Sequence, residues 1–248
     1  MKEIVSTATS KVDEILVVLR TEILRGQYRS GERLPSERDL SARFESNRGA
    51  IREVIKKLEQ LGLIEVNPGG VRVLPIEAAT LEIVPHLMDL GTIDQRQLIA
   101  QVLDVLGTLM ALSVNSALAL STQAQREDIA LAVDSLISSI DKNDEKQHRE
   151  SFELLGEKML DIHGNLILRL IGNGIRTQFI AHIRHENLNP NIDLNRIKGS
   201  LADLRKAILV NNSTDASFAI SQHFKLMKDA ILTLPTDKSN LTEDGQNA

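Results

Sequence analysis

The chain has no cysteine and no tryptophan among its 248 residues, and only one tyrosine and five phenylalanines. Without thiols there is no disulfide and no thiolate metal site, so a reducing compartment, the cytoplasm, is expected. The shortage of aromatic rings narrows the partners. Single-strand and RNA modules stack bases on such rings, so duplex DNA is favoured over either. Met1-Lys2-Glu3-Ile4 is not followed by an apolar signal core. No apolar run approaches the roughly 20 residues that span a bilayer. HExxH, GxSxG and a Gly-rich phosphate loop are all missing. Asp161-Ile162-His163 brings an acid near a base, but close neighbours point apart on a helix and no nucleophile accompanies them. No enzyme and no cofactor are expected.

What the chain does have is unevenly distributed charge. The net charge is −5, yet residues 1–74 hold 13 Lys+Arg against 11 Asp+Glu, while the remainder holds 16 against 23. Six arginines (Arg29, Arg33, Arg38, Arg43, Arg48, Arg52) fall in one short window, enough to neutralise several phosphates. Within it, Leu34-Pro35-Ser36-Glu37-Arg38-Asp39-Leu40 starts a helix. Pro35 suits a first helical position, and Glu37 and Asp39 suit the first turn. After a break at Phe44-Glu45-Ser46, Asn47 caps a second helix. Arg48 and Arg52 then stand at i and i+4 on one face. Two short helices joined by a tight turn, with arginines on the second, are how a helix-turn-helix presents base-reading side chains.

The surrounding pattern completes that unit. Val12, Ile15, Leu16, Val18, Leu19, Ile23 and Leu24 make an apolar helical stripe over residues 9–26, and Tyr28 to Gly31 is a turn. Helices are predicted over 36–43 and 47–61, with Gly62 closing the second. Leu63-Ile64-Glu65-Val66 and Val71-Arg72-Val73-Leu74 flank the turn Asn67-Pro68-Gly69-Gly70 as a hairpin. Three helices and a hairpin make a winged helix-turn-helix over residues 1–75. The competing reading, a small helical domain with surface arginines, does not account for the agreement of turn, cap, spacing and wing. Beyond Pro75 the pattern is helical throughout: 81–90, 94–120, 123–141, 144–162, a helix from Gly164-Asn165 to Glu186, then 193–211 and 214–233. Residues 76–234 read as an all-α bundle for effector binding and dimerisation, and 235–248 as a disordered polar tail. The long helices are apolar over wide arcs, as a dimer or an enclosed cavity requires, although a plain core gives the same pattern.

The N-terminal half resembles the GntR superfamily of bacterial transcription regulators. The resemblance rests on Gly31-Glu32-Arg33-Leu34-Pro35-Ser36-Glu37-Arg38-Asp39-Leu40, on Asn47-Arg48-Gly49-Ala50-Ile51-Arg52-Glu53, and on Leu58-Glu59-Gln60-Leu61-Gly62-Leu63-Ile64. The helical half resembles the effector domain of the FadR subfamily through Gly164-Asn165, Ala207-Ile208…Asn212 and His223. Gly164-Asn165-Leu166…Asn173-Gly174 and Asn189-Pro190 look closest to its fatty-acid-responsive members. The resemblance implies a DNA-binding surface of Ser36, Arg38, Asn47, Arg48, Gly49, Arg52, Gly69, Gly70 and Arg72. The wing departs from the usual Gly-rich tip, reading Pro68-Gly69-Gly70-Val71-Arg72. The subfamily's metal positions fall on Phe152, Gly156 and Leu201, leaving His223 alone, so no metal is expected. A subfamily arginine falls on Leu106.

These departures imply an apolar effector pocket around Leu106, Phe152, Leu201 and His223, with Arg169, Asn173 and Arg176 on neighbouring turns as head-group anchors or simply a solvated stripe. The expected effector is a long-chain acyl-CoA or related lipid-like anion. A small organic or sugar acid, or a constitutive binder with a decayed pocket, stand as alternatives. His182 and His185, with Glu186, lie at metal-compatible helical spacing but have no third ligand and read as a solvated or interface pair. The partners expected are a pseudo-palindromic DNA operator, a small-molecule effector and a second copy of the chain, with no membrane.

Overall fold

The computed structural model describes residues 10–91, 93–180 and 192–235. They form two compact units that divide between Ile93 and Asp94.

The first unit opens with α1 (Lys11–Leu24), capped by the Ser10 hydroxyl, which accepts the Asp13 N–H. Then come α2 (Glu37–Arg43), α3 (Arg48–Gln60), and the antiparallel strands β1 (Ile64–Asn67) and β2 (Gly70–Val73). The strands pair Ile64 with Val73 and Asn67 with Gly70, leaving Pro68-Gly69 as the turn. The amphipathic pattern decides the packing: Ile15, Leu19 and Ile23 of α1 meet Ile51, Val54, Ile55 and Leu58 of α3, with Leu40, Leu63, Ile64 and Val73 closing the core. Each such fully buried side chain stabilises the fold by about 1.5–3 kcal/mol. Residues 31–34 run along β2, with Gly31 N–H on Val73 O and Leu34 N–H on Val71 O.

Two local expectations are corrected. Pro35 does not occupy the first helical position; it precedes the cap. Ser36 is extended and its hydroxyl accepts the Asp39 N–H, so the helix begins at Glu37. The hydroxyl also donates to the Asp39 carboxylate at 2.6 Å, and this exchange outcompetes a start one residue earlier. The stripe over 81–90 is also broken into two pieces, a 3₁₀ turn (Leu81–Ile83) and α4 (Val84–Leu90). The first unit continues through them, past the boundary expected at residue 75. Gly62, at φ +71°, shows why: a Cβ there would stand 2.5 Å from the Ala78 carbonyl oxygen. The Thr80 N–H also bonds Leu61 O, so the chain after Pro75 is laid back on the end of α3.

The second unit is helical throughout its described residues: α5 (Gln95–Leu120), α6 (Gln123–Asp141), α7 (Glu145–His163), α8 (Leu166–Ile175), α9 (Leu194–Leu209) and α10 (Ser213–Leu232). Its starts are set by side-chain caps, namely Asp94, the Thr122–Gln125 capping box, Asp144, Asn165, Asp193 and Asn212. α10 packs along α5 and α9, and α6 lies against α7 and α9. The α5–α10 approach is close because Gly107 has no side chain; a Cβ there would lie 2.9 Å from Phe224 Cβ. Among the described helices, α5 is the one long and apolar enough by composition to cross a membrane. Here Ile99, Val102, Leu103, Val114 and Leu118 are buried within the unit, as in a core helix. The helix expected from Asn165 to Glu186 departs from α geometry at Arg176–Ile180, a π-helical turn after Gly172-Asn173-Gly174. Two glycines in three residues weaken the α-helical preference there. The rest of that expected helix, and the tail from residue 236, lie outside the described residues.

Candidate nucleic-acid interface

Asn47 fixes the start of α3: its side-chain oxygen accepts the Ala50 N–H at 2.9 Å. Arg48 is therefore the first helical residue, exposed and without an ion pair among the described residues. It stands where the helix dipole already favours an anion. Gly49 keeps this end low, since a Cβ would come within 3.1 Å of the capping oxygen of Asn47. One turn on, Arg52 directs its Nε to both oxygens of Glu37, at 3.1 and 2.9 Å. That contact ties the start of α2 to α3 and aims the guanidinium. Both partners are substantially exposed, so exchanging the contact for a phosphate or base costs under about 1 kcal/mol. Arg38 is among the most exposed side chains of the unit, 3.6 Å from Asp39. The Ser36 hydroxyl, first, and Arg38 behind it hold the Asp39 carboxyl below the usual carboxylate range. Ser36 itself is engaged in the cap.

The structure brings Arg38, Asn47, Arg48, Gly49 and Arg52 onto the two helices of the turn. It does not leave every arginine of the window available. Arg43 bonds Glu22 and the Tyr28 hydroxyl and lies over the Phe44 ring at 4.7 Å. The Glu22 contact raises its pKa above the ordinary guanidinium value. Arg43 is a strut between α1 and α2. At the wing, Arg72 donates to Gly31 O at 2.8 Å. Gly69 and Gly70 form the tip, and the side chain beside them is Arg33. The sequence showed Arg33 only as one charge among six; its bridge to Arg72 across residues 31–34 was the missing signal.

In the second unit, Leu201 and His223 are buried. His223 Nδ1 lies 3.2 Å from Ser200 Oγ. The Phe224 ring meets both His223 and Phe152 edge-on at 5.8 Å, and Leu106 is half-buried next to Gly107. Burial, with a smaller effect from His148, pushes the His223 imidazole down to about 4. His148 escaped the sequence reading. It stands one turn before Phe152 on α7, its Nδ1 is 2.9 Å from Ser139 Oγ, and burial lowers its pKa too. Its spacing to Phe152 and the serines of the facing α6 were the available signal. Arg169 bonds Asp161 at 2.6 Å, whereas Asn173 and Arg176 are exposed and 3.4 Å apart. An open groove of about 460 Å³ between α9 and α10 is lined by Arg196, Ser200, Lys206, Val210 and Phe218 among others, but not by Leu201 or His223. No group of three potential metal ligands occurs among the described residues. His182, His185 and Glu186 lie outside them.

The sequence profile of the bacterial regulatory proteins, gntR family, matches residues 11–73. The transcriptional regulator Mce2R of Mycobacterium tuberculosis is 36% identical over 84 residues, 33% of this chain and 35% of that protein. The Uxu operon transcriptional regulator of Escherichia coli is 36% identical over 70 residues, 28% and 27% of the two chains. This chain thus spans about a third or less of the length of these curated relatives. A solved structure described as Lar, which controls the agr system of Listeria monocytogenes, aligns over 95% of this chain and 99% of its own at 13% identity and a TM-score of 0.49. Residues 11–73, with their cap-positioned arginines and two-stranded wing, form a winged helix-turn-helix that matches the gntR family of bacterial regulatory proteins.

Proposed function

We propose that the chain is a cytoplasmic, DNA-binding transcription regulator, not an enzyme, in which the first unit binds duplex DNA and the second senses a small molecule and pairs with a second copy. The observation that carries this reading is the start of α3: Arg48, exposed beside its Asn47 cap and without an ion pair among the described residues, with Arg52 one turn away. Two guanidiniums on one helical face suit bidentate contact with guanines in the major groove, worth about 1–3 kcal/mol of discrimination per pair. A two-fold dimer would set two such helices on a pseudo-palindrome. The test uses duplexes selected by the wild-type chain from a randomised pool. Arg48→Ala should weaken binding to the selected duplex by about tenfold or more and weaken binding to random duplex far less. Equal binding by wild type, Arg48→Ala and Arg52→Ala at moderate salt refutes the assignment.

The effector proposed is an anion with a long apolar chain, such as a long-chain acyl-CoA. Its support is the apolar contact chain of Phe152, Phe224 and His223, with Leu106 and Leu201 on the adjoining helices. Chain burial stabilises by roughly 0.8 kcal/mol per methylene. Asp161 already neutralises Arg169, so Arg176 is the better candidate for the head group. Titrating acyl-CoAs of several lengths into a DNA-bound sample should release DNA more effectively as the chain lengthens, and Leu106→Asp should blunt the effect. Release by a short sugar or hydroxy acid alone refutes the apolar reading.

A further inference from the structure

We infer that Arg33, and not Arg72, is the cation that the wing carries into the minor groove of DNA. This rests on the DNA-binding reading above and assigns a contact within it.

The tip of the wing is Pro68-Gly69-Gly70, which has no donor side chain of its own. A bare tip is slender enough for a groove about 6 Å wide, but it offers no charge to the strong negative potential there. Arg33 supplies one. Its strand-like segment bridges to Arg72, and its side chain runs over the turn. A Cβ placed on Gly69 would lie 3.0 Å from Arg33 Nη2, and one on Gly70 would lie 3.6 Å from Arg33 Nε. The two glycines therefore do different things. Gly70 has φ +114°, a conformation that side chains avoid. Gly69 does not share that positive φ, and what its missing side chain provides is room for the guanidinium of Arg33. Arg33 is exposed and forms no ion pair among the described residues. Arg72 is engaged elsewhere: its guanidinium donates to Gly31 O, and it stands opposite Glu65 in the strand register. It thus fastens residues 31–34 to β2, and so seats Arg33.

A guanidinium presented on a glycine tip prefers narrow, A·T-rich minor grooves. The test compares two duplexes that keep the pool-selected core and differ only in the flank, A·T-rich or G·C-rich. The wild-type chain should prefer the A·T flank. In Arg33→Ala the ratio of affinities should fall to about one, with a salt slope shallower by about one unit, and the core preference set by Arg48 should persist. Gly69→Ala, whose Cβ presses on the guanidinium without removing it, should reduce the flank ratio in the same direction but by less than Arg33→Ala. Thermal melting checks that both variants remain folded. An unchanged flank ratio and salt slope in folded Arg33→Ala overturns the assignment while leaving the DNA-binding reading intact. Failure of the wild-type chain to select any duplex overturns both.

Discussion

Protonating His223 should loosen the second unit, and the size of the effect follows from its surroundings. Ser200 donates its hydroxyl proton to Ile197 O at 2.7 Å, so the 3.2 Å contact with His223 is best made by an Nδ1–H that donates to Ser200 Oγ. A second proton must then be added at Nε2, inside the bundle and near His148, which opposes it. The folded imidazole therefore titrates at about 4 against an ordinary 6.5. A lowered histidine pKa means that the unfolded chain binds more protons. The stability is fully present above the ordinary value and is lost as the pH falls through 6.5 towards 4. Between pH 7.5 and 5.0 the loss works out at about 2 kcal/mol, or about 4–8 °C in Tm for a unit of this size. His148 is shifted in the same direction and adds to the slope. His223→Gln separates the two, because an amide can still reach Ser200 but does not titrate. Urea unfolding at both pH values should show the wild type losing about 2 kcal/mol more than His223→Gln. Equal losses in the two proteins would show that His223 is not held neutral by burial.

The other expectations concern packing and metal. Gly107→Ala would stabilise an ordinary helix interior by about 1 kcal/mol, but here the new Cβ meets Phe224 Cβ, which cannot move without α10. The net effect should be destabilisation by about 1–2 kcal/mol in denaturant melts, and a gain in stability would refute the close approach. Phe152, Gly156 and Leu201 offer no ligand atoms, so chelator treatment should change neither Tm nor DNA binding. Stoichiometric zinc, nickel or manganese in the purified protein would overturn that.

The features legible in the sequence were those decided within a few residues. Asn47 and Gly62 are required by the local geometry of a helix start and a helix end, and both stand where the chain pattern put them. Ser36 and Pro35 show the limit of such reading: each suits the start of α2, and the reciprocal bond between Ser36 and Asp39 chooses between them. Features that depend on tertiary neighbours were not legible. Nothing local marks residues 76–93 as part of the first unit; the contact of Gly62 with the backbone of Ala78 and Ala79 does. His148 acquires meaning only when α6 brings Ser139 to it.

The arginines of the first unit make the same point about charge. Six in one window look interchangeable as phosphate contacts, yet their environments divide them. Arg43 is fixed by Glu22, Tyr28 and Phe44, and removing it would weaken the seat of α2 on α1. Arg52 is shared, since Glu37 aims it without burying it. Arg29 in the turn after α1, Arg33 beside the wing, Arg38 on α2 and Arg48 on α3 remain exposed. Specificity and electrostatic affinity should therefore come apart. On the proposed DNA-binding reading, Arg38, Arg48 and Arg52, on the two helices of the turn, would distinguish bases, whereas Arg33 would follow the shape of the groove. The net charge of −5 is no obstacle to this arrangement. At physiological salt the field of exposed charges reaches only about 8 Å, so the local balance of charge around the arginines matters more than the net total.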